Sequence, residues 1–220
     1  MPHPAHVLAA LLAAAALLPA SGCAVGQLIG GMAASAERAG SRIVKPKYEG
    51  LEGSSFAVVV AADRGVQADQ PDIVPLMTRE ITRRLSDNCG ASGVVPADDV
   101  LKFQYQRPGW IAMSPGDLAR TLGVQRLVFV ELQDFALSDP GNPYIWAGSA
   151  VATVRVLEAD GRLKDDFAFR EPLRVGFPDQ EGLGPMQIPA ETVQAALAKR
   201  IIDRVAWLFY EHEEANIIKY

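Results

Sequence analysis

The chain has 220 residues, of which 49% are hydrophobic and 21% charged, and it carries a formal net charge of −5 and two cysteines. This composition excludes a collagen-like, a disordered or a disulfide-rich protein. The negative charge argues against nucleic acid as a partner, because phosphate binding requires clustered Lys and Arg. We therefore expect a globular protein with no nucleic-acid partner.

The first 22 residues have the pattern of a targeting segment. An apolar run of Ala and Leu extends from Val7 to Leu18, the length of a signal-peptide core and too short to span a bilayer. Small residues at 20–22 then lead directly to Cys23. The segment resembles the lipobox signal peptide of bacterial lipoproteins, in which cleavage occurs before a Cys that receives diacylglycerol and palmitate. An ordinary secretory signal cleaved nearby, or a buried Cys in a helix, is the alternative.

The lipoprotein resemblance implies a lipid anchor at Cys23 and removal of residues 1–22. Ala24, rather than Asp, after the Cys implies sorting to the outer membrane, with the protein facing the periplasm. Each buried methylene of an acyl chain contributes about 0.8 kcal/mol, so two or three chains hold a protein on a membrane stably. The predicted location is therefore the cell envelope, and the predicted first partner is a membrane.

The mature chain divides into a tether and a domain. Residues 23–50 are rich in Gly, Ala and Ser and poor in large apolar side chains, which predicts a flexible tether. Residues 51–220 are long enough to bury one core and predict a single domain. If Cys23 is acylated, Cys89 has no disulfide partner, and we expect a buried, unreactive thiol there.

The predicted elements alternate between helices and strands along the domain. Apolar runs and alternation predict strands over 56–62, 94–95, 126–132, 145–157 and 167–173. Residues 63–70 are polar and predict a loop. Helical spacing predicts helices that run from Asp72 to about Cys89 and over 97–106, 114–123 and 190–211. The fold class is therefore α/β in the two-layer α+β sense, with helices packed on a mixed, mostly antiparallel sheet.

The inventory of reactive residues is small. His3 and His6 leave with the signal peptide, and His212 lies among acidic residues at the predicted end of the last helix. No nucleophile elbow, Cys-x-x-Cys pair or phosphate-binding glycine loop is present in the sequence. We expect no metal, no cofactor and no catalytic residue. The acidic pairs at 98–99 and 165–166 leave a carboxylate-dependent hydrolase as a further hypothesis.

Two loops combine aromatic residues with Pro and Gly. Trp110 follows Pro108 and Gly109, whereas Tyr144 and Trp146 follow Pro143. Amphipathic rings on rigid loops are typical of protein-recognition surfaces. These three aromatic residues are the candidate partner or ligand surface, unless the two Trp rings fold back and cap the core.

The order of elements over residues 55–211 loosely resembles small periplasmic lipoproteins related to the TolB amino-terminal domain and to the curli-secretion lipoprotein. This resemblance implies a non-catalytic scaffold or accessory subunit of an envelope transport or assembly complex, with an envelope protein as partner. The alternative function is binding of a small molecule or glycan, and it requires a concave pocket beside Trp110 or Trp146. The hydrolase is the third.

Overall fold

The computed structural model describes residues 40–159 and 166–215. The described strands are β1 (Ser41–Val44), β2 (Ser55–Ala62), β3 (Gly93–Val94), β4 (Arg126–Ala136), β5 (Gly148–Glu158), β6 (Phe167–Phe177) and β7 (His212–Ala215). The helices are α1 (Arg64–Asp69), α2 (Ile73–Asn88), α3 (Ala97–Gln106), α4 (Pro115–Leu122) and α5 (Ala190–Ala206), with a 3-10 helix (Pro108–Ala112) after α3. The predicted signal peptide, Cys23 and Asp165 lie outside the described residues.

Five strands form one mixed sheet in the order β3-β2-β4-β5-β6. β2 runs parallel to both β3 and β4, whereas β4, β5 and β6 form an antiparallel meander. β3 contributes only two residues, which pair with Ser55 and Phe56 at the start of β2. The predicted fold class, helices on a mixed and mostly antiparallel sheet, is confirmed.

The sheet carries a hydrophobic core on each face. Alternate residues of a strand point to opposite faces, so the continuous apolar run of β2 serves both cores. The larger core packs α2 and α5 on one face and includes Phe56, Val58, Val60, Met77, Val130, Val154 and Ile201. The smaller core packs α3 and α4 on the other face and includes Ala57, Val59, Val100, Leu118 and Leu127. This second group of helices adds a partial third layer to the predicted two.

Local sequence signals set the ends of α4. The Ser114 hydroxyl accepts a hydrogen bond from the Asp117 backbone amide at 3.2 Å, and Pro115 occupies the first turn. Gly123 ends the helix with φ 69°, a left-handed conformation that a side chain would strain. The helix start and stop predicted from Ser114 and Gly123 are therefore confirmed.

Two predictions for the helices are wrong, and the strand predicted from Ile145 begins at Gly148. Residues 64–69, inside the predicted loop, form α1, because burial of Val66 stabilises a helix that has no other buried residue. The last helix ends at Ala206 instead of Glu211. It ends there because the Leu208 carbonyl accepts backbone hydrogen bonds from Lys47 and Tyr48, at 2.9 and 3.0 Å, which turns the chain away from the helix axis.

The residues after α5 therefore differ from the predicted continuation of the helix to residue 211. His212 begins β7, and its ring stacks on Trp207 with centroids 4.5 Å apart. The backbone amides of Lys47 and Tyr48 belong to the sequence predicted as tether, of which residues 40–50 are described.

The chain forms two units. Residues 43–212 hold the five-stranded sheet and the described helices. The described part of the other unit, residues 40–42 and 213–215, contains an ion pair between Arg42 and Glu214 at 3.2 Å. Over the described ranges, no helix combines the length and apolarity that a membrane span requires.

Candidate functional site

The predicted aromatic residues belong to two separate surfaces. Trp110 lies in the 3-10 helix and lines a cavity of about 450 Å³, which we name the cleft. Tyr144 and Trp146 lie in the loop between β4 and β5. The cleft is lined by Val60, Ala61, Ala62, Gln67, Pro71, Val74, Pro75, Arg79, Leu101, Gln104, Tyr105, Trp110 and Ile111.

The cleft lies where the topology of the sheet places α2 and α3 on opposite faces. The connection that leaves β2 enters α2 on the larger-core face, whereas the connection that leaves β3 enters α3 on the opposite face. β3 pairs only with the first two residues of β2, so no strand lies between α2 and α3 farther along. The two helices therefore flank a crevice beside the carboxyl end of β2, the position at which open α/β sheets bind ligands.

Side-chain amides occupy the unpaired edge of β2 in the cleft. Gln104 Nε2 donates to the Val60 carbonyl at 3.0 Å, and Gln67 Nε2 donates to the Ala62 carbonyl. Gln104 Oε1 is buried, and no described group donates a hydrogen bond to it. A buried acceptor without a donor costs about 1–3 kcal/mol. The cleft therefore contains one unsatisfied polar atom.

The charge of the cleft comes from Arg79 of α2, the one charged residue in its described lining. Arg79 Nε donates to Asp98 Oδ1 at 2.9 Å, and both side chains are exposed. Exposed ion pairs contribute about 0–1 kcal/mol and exchange readily with other partners. Arg79 can therefore contact an anionic group in the cleft.

Trp110 both caps the smaller core and lines the cleft. Its ring packs against Phe129 with centroids 6.4 Å apart. At the rim, Tyr105 and Ile111 are exposed large side chains. The concave pocket required by the small-molecule or glycan hypothesis is therefore present beside Trp110.

A second surface, which we name the loop patch, consists of Tyr144, Ile145 and Met186. These side chains are 82%, 40% and 97% exposed, respectively. Between the same two loops, the Trp146 indole N–H donates to the Ile188 carbonyl at 2.8 Å, and the Trp146 backbone N–H donates to the Leu183 carbonyl at 2.7 Å. Trp146 thus turns inward and joins two loops, while Tyr144 points to solvent.

The sequence did not single out residues 183–188 as part of this surface. Gly184 is buried so close to Tyr144 that an added Cβ would lie 2.2 Å from the Tyr144 carbonyl oxygen. Its amide donates to Gln187 Oε1 at 2.9 Å. The Gly- and Pro-rich composition of this segment was the available signal, but composition does not show which loop packs against it.

The acidic residues lie elsewhere. Asp98 is exposed in the first turn of α3 and pairs with Arg79. A second cavity of about 500 Å³ is lined in part by Asp63, Asp69 and Asp134. Within residues 40–159 and 166–215, no group of three His, Cys, Asp or Glu side chains is arranged to hold a metal ion.

Cys89 ends α2 and is buried. Its thiol donates to the Phe209 carbonyl at 3.6 Å. Burial disfavours the thiolate and raises the pKa of Cys89 to about 11. This environment gives an unreactive thiol, as the sequence predicts.

No protein-family profile matches the chain, and no functionally described protein matches it in sequence. Among solved structures, lipoprotein GNA1162 from Neisseria meningitidis is 14% identical, with 70% of this chain and 98% of that chain covered and a TM-score of 0.45. The PelC dodecamer from Paraburkholderia phytofirmans is 9% identical, with 78% and 97% covered and a TM-score of 0.45.

The LpoB C-terminal domain from Salmonella enterica is 12% identical, with 56% of this chain and 83% of that chain covered and a TM-score of 0.34. The structural neighbours thus include a bacterial lipoprotein. All three TM-scores lie below 0.5, and these likenesses assign no function to the chain.

Proposed function

We propose that the protein is a lipid-anchored lipoprotein of the cell envelope that acts as a non-catalytic scaffold or accessory subunit of an envelope transport or assembly complex. Cys23 carries the lipid, and the anchor lies in the outer membrane on the periplasmic side. The observation that supports the partner-binding role most strongly is the loop patch, where Tyr144, Ile145 and Met186 are exposed on loops fixed by Trp146.

The physical basis of this role is a preordered apolar surface. Aromatic residues and Met are enriched where proteins bind one another, and Tyr supplies a large contact area with few rotatable bonds. The two loops are already joined by the hydrogen bonds of Trp146 to Leu183 and Ile188 and by the close packing of Gly184 on Tyr144, so binding requires little further ordering of the backbone. A protein partner with a complementary apolar surface fits this patch.

The lipid anchor is tested with Cys23→Ser in the full chain. We expect loss of palmitate labelling and release from the membrane fraction, because one acylated residue supplies the membrane attachment. Cys89→Ser is the matched control and is expected to keep both properties. Unchanged labelling in Cys23→Ser would contradict the proposed anchor.

The partner surface is tested by co-purification from detergent extracts of envelopes. Tyr144→Ser combined with Met186→Ser should remove the proteins that co-purify with the unaltered chain in stoichiometric amounts. Tyr105→Ser changes an equally exposed Tyr at the cleft and should retain them. Retention by the loop-patch variant would contradict the proposed surface.

A second candidate function, binding of a small molecule or glycan, is favoured by one observation. The cleft is concave, lies at the carboxyl end of β2 and is lined by Trp110. Its volume falls within the range of about 300–1,000 Å³ that ligand pockets in proteins have. One protein can carry both functions, because the cleft and the loop patch are separate surfaces.

A further inference from the structure

We propose that the cleft binds a small organic anion with a flat apolar body and one N–H or O–H donor. This inference rests on the second candidate function and is independent of the loop patch. Gln104 would accept the hydrogen bond from the ligand's N–H or O–H group, and Arg79 would pair with the ligand's acid group. Four observations carry the assignment: the position of the cleft, its apolar walls, the buried side-chain oxygen of Gln104 and the charge of Arg79.

The position favours a ligand site over a packing defect. α2 and α3 come from opposite faces of the sheet and separate where β3 ends, so the crevice follows from chain topology. The start of α2, a helix of 16 residues, lies at this crevice, and Asp72 makes no side-chain hydrogen bond to cap it. The positive end of the helix dipole favours an anion nearby.

The walls of the cleft fit an apolar body. Val74, Pro75 and Leu101 line it together with Trp110. Exposed Tyr105 and Ile111 extend the apolar surface at the rim. An aromatic ligand can pack its ring against these side chains and remove them from water.

The buried side-chain oxygen of Gln104 can accept a hydrogen bond from a donor on the ligand. Gln104 Nε2 donates to Val60, a carbonyl that accepts only, so the amide cannot rotate by half a turn without losing this bond. Its Oε1 therefore stays an acceptor and has no donor among the described groups. A ligand N–H or O–H in the cleft would satisfy it.

The positive charge of Arg79 favours a ligand with a negative charge. Arg79 is the one charged side chain that the described residues contribute to the lining, and its pair with Asp98 is exposed at both ends. An acid group at the mouth of the cleft can pair with Arg79 beside Asp98 or in place of it. A neutral glycan can accept hydrogen bonds from Arg79 but brings no negative charge to it, and we therefore favour an organic anion.

The test is calorimetric titration of the full chain, in a neutral detergent, with indole-3-acetate as the probe. This molecule has an aromatic body, one N–H donor and one carboxylate. Indole-3-acetamide lacks the charge, and 1-methylindole-3-acetate lacks the donor. Trehalose serves as a neutral glycan probe.

We expect saturable binding of indole-3-acetate, weakened about fivefold by Arg79→Gln, the effect of an exposed charge pair. The amide should bind equally to the unaltered chain and to Arg79→Gln. Arg83→Gln is the matched control, because Arg83 lies one turn along the same helix, is equally exposed and is paired with Glu80, but does not line the cleft. Its affinity for the acid should be unchanged.

The ligand's hydrogen-bond donor is tested by comparing the methylated and unmethylated probes in two proteins, the unaltered chain and Gln104→Met. N-methylation should weaken binding to the unaltered chain about tenfold, since it leaves the buried Gln104 acceptor without a donor. In Gln104→Met, the methylated and unmethylated probes should bind equally. An equal loss on methylation in both proteins would overturn the role of Gln104.

The outcomes separate this inference from the proposed functions. Binding of the amide as tightly as the acid would overturn the anion assignment. Binding of trehalose without binding of the acid would overturn the inference and support the second candidate function. Absence of saturable binding of every probe would overturn the inference and contradict that candidate function, while the loop patch would be unaffected.

Discussion

The cleft and the loop patch both present aromatic residues, but they differ in how their buried polar groups are satisfied. In the loop patch, the Trp146 indole and the Gly184 amide both have acceptors at normal distances. In the cleft, Gln104 Oε1 has no donor among the described groups. These polar groups of the loop patch are therefore satisfied within the chain, whereas the cleft offers a buried acceptor that a polar group of a ligand can use.

Trp146→Ala is the most severe test of the loop patch. We expect a loss of about 3 kcal/mol in the free energy of unfolding, because the substitution removes a large half-buried ring and the hydrogen bond to Ile188. Trp146→Phe keeps a ring and should lose about 1 kcal/mol. Urea unfolding measures both, and equal stability of Trp146→Ala and the unaltered chain would show that Trp146 does not hold the loops.

A pair of glycine substitutions compares the two surfaces directly. Gly184→Ala should lose about 2 kcal/mol, because its Cβ would lie 2.2 Å from a backbone oxygen and the loops must separate. Gly109→Ala, beside Trp110, meets no heavy atom within 4 Å and should change stability by less than about 1 kcal/mol. Thermal unfolding compares the variants, and equal effects would contradict the tight loop contact.

Cys89 provides a reference that belongs to neither surface. Its pKa is raised to about 11 in the folded chain, so the unfolded chain loses its thiol proton at lower pH. The stabilising contribution is complete below about pH 9 and is lost as the pH rises towards 11, with a loss of about 1 kcal/mol by pH 10. Urea unfolding of the unaltered chain and of Cys89→Ala across this range measures the difference, and parallel pH curves would contradict the shift.

Gln104→Met should have the smallest effect on stability. The lost hydrogen bond to Val60 is offset by removal of the unpaired Oε1, so we expect a change of about 0.5 kcal/mol or less in the unfolding free energy. Chemical denaturation measures it. A loss above about 2 kcal/mol would show that Gln104 serves the fold, in contrast to its assignment to the cleft.

Periodicity and end signals predict most of the fold. The apolar run of β2 and the Ser114 and Gly123 signals of α4 act locally, so the sequence carries them. α1 was missed because one buried residue, Val66, stabilises it through tertiary packing. The end of α5 was misplaced because Leu208 bonds to residues far away in sequence.

The candidate site was predictable only in part. Loop composition identified Trp110, Tyr144 and Trp146 as candidates, but it did not assign them to separate surfaces. In the sequence, Gln104 is an ordinary helical residue. It can bond to the Val60 carbonyl because β3 pairs with only the first two residues of β2, which the sequence does not show. Met186 joins Tyr144 only through packing of two loops, which depends on the contact at Gly184.

Photo-crosslinking in intact envelopes tests whether a protein partner binds the lipid-anchored chain at the loop patch. p-Benzoylphenylalanine is placed either at position 144 or at position 105, which are 82% and 87% exposed. We expect one discrete protein adduct from position 144, abolished by Met186→Asp and absent from position 105. The same adduct from position 105, with none from position 144, would contradict the proposed surface.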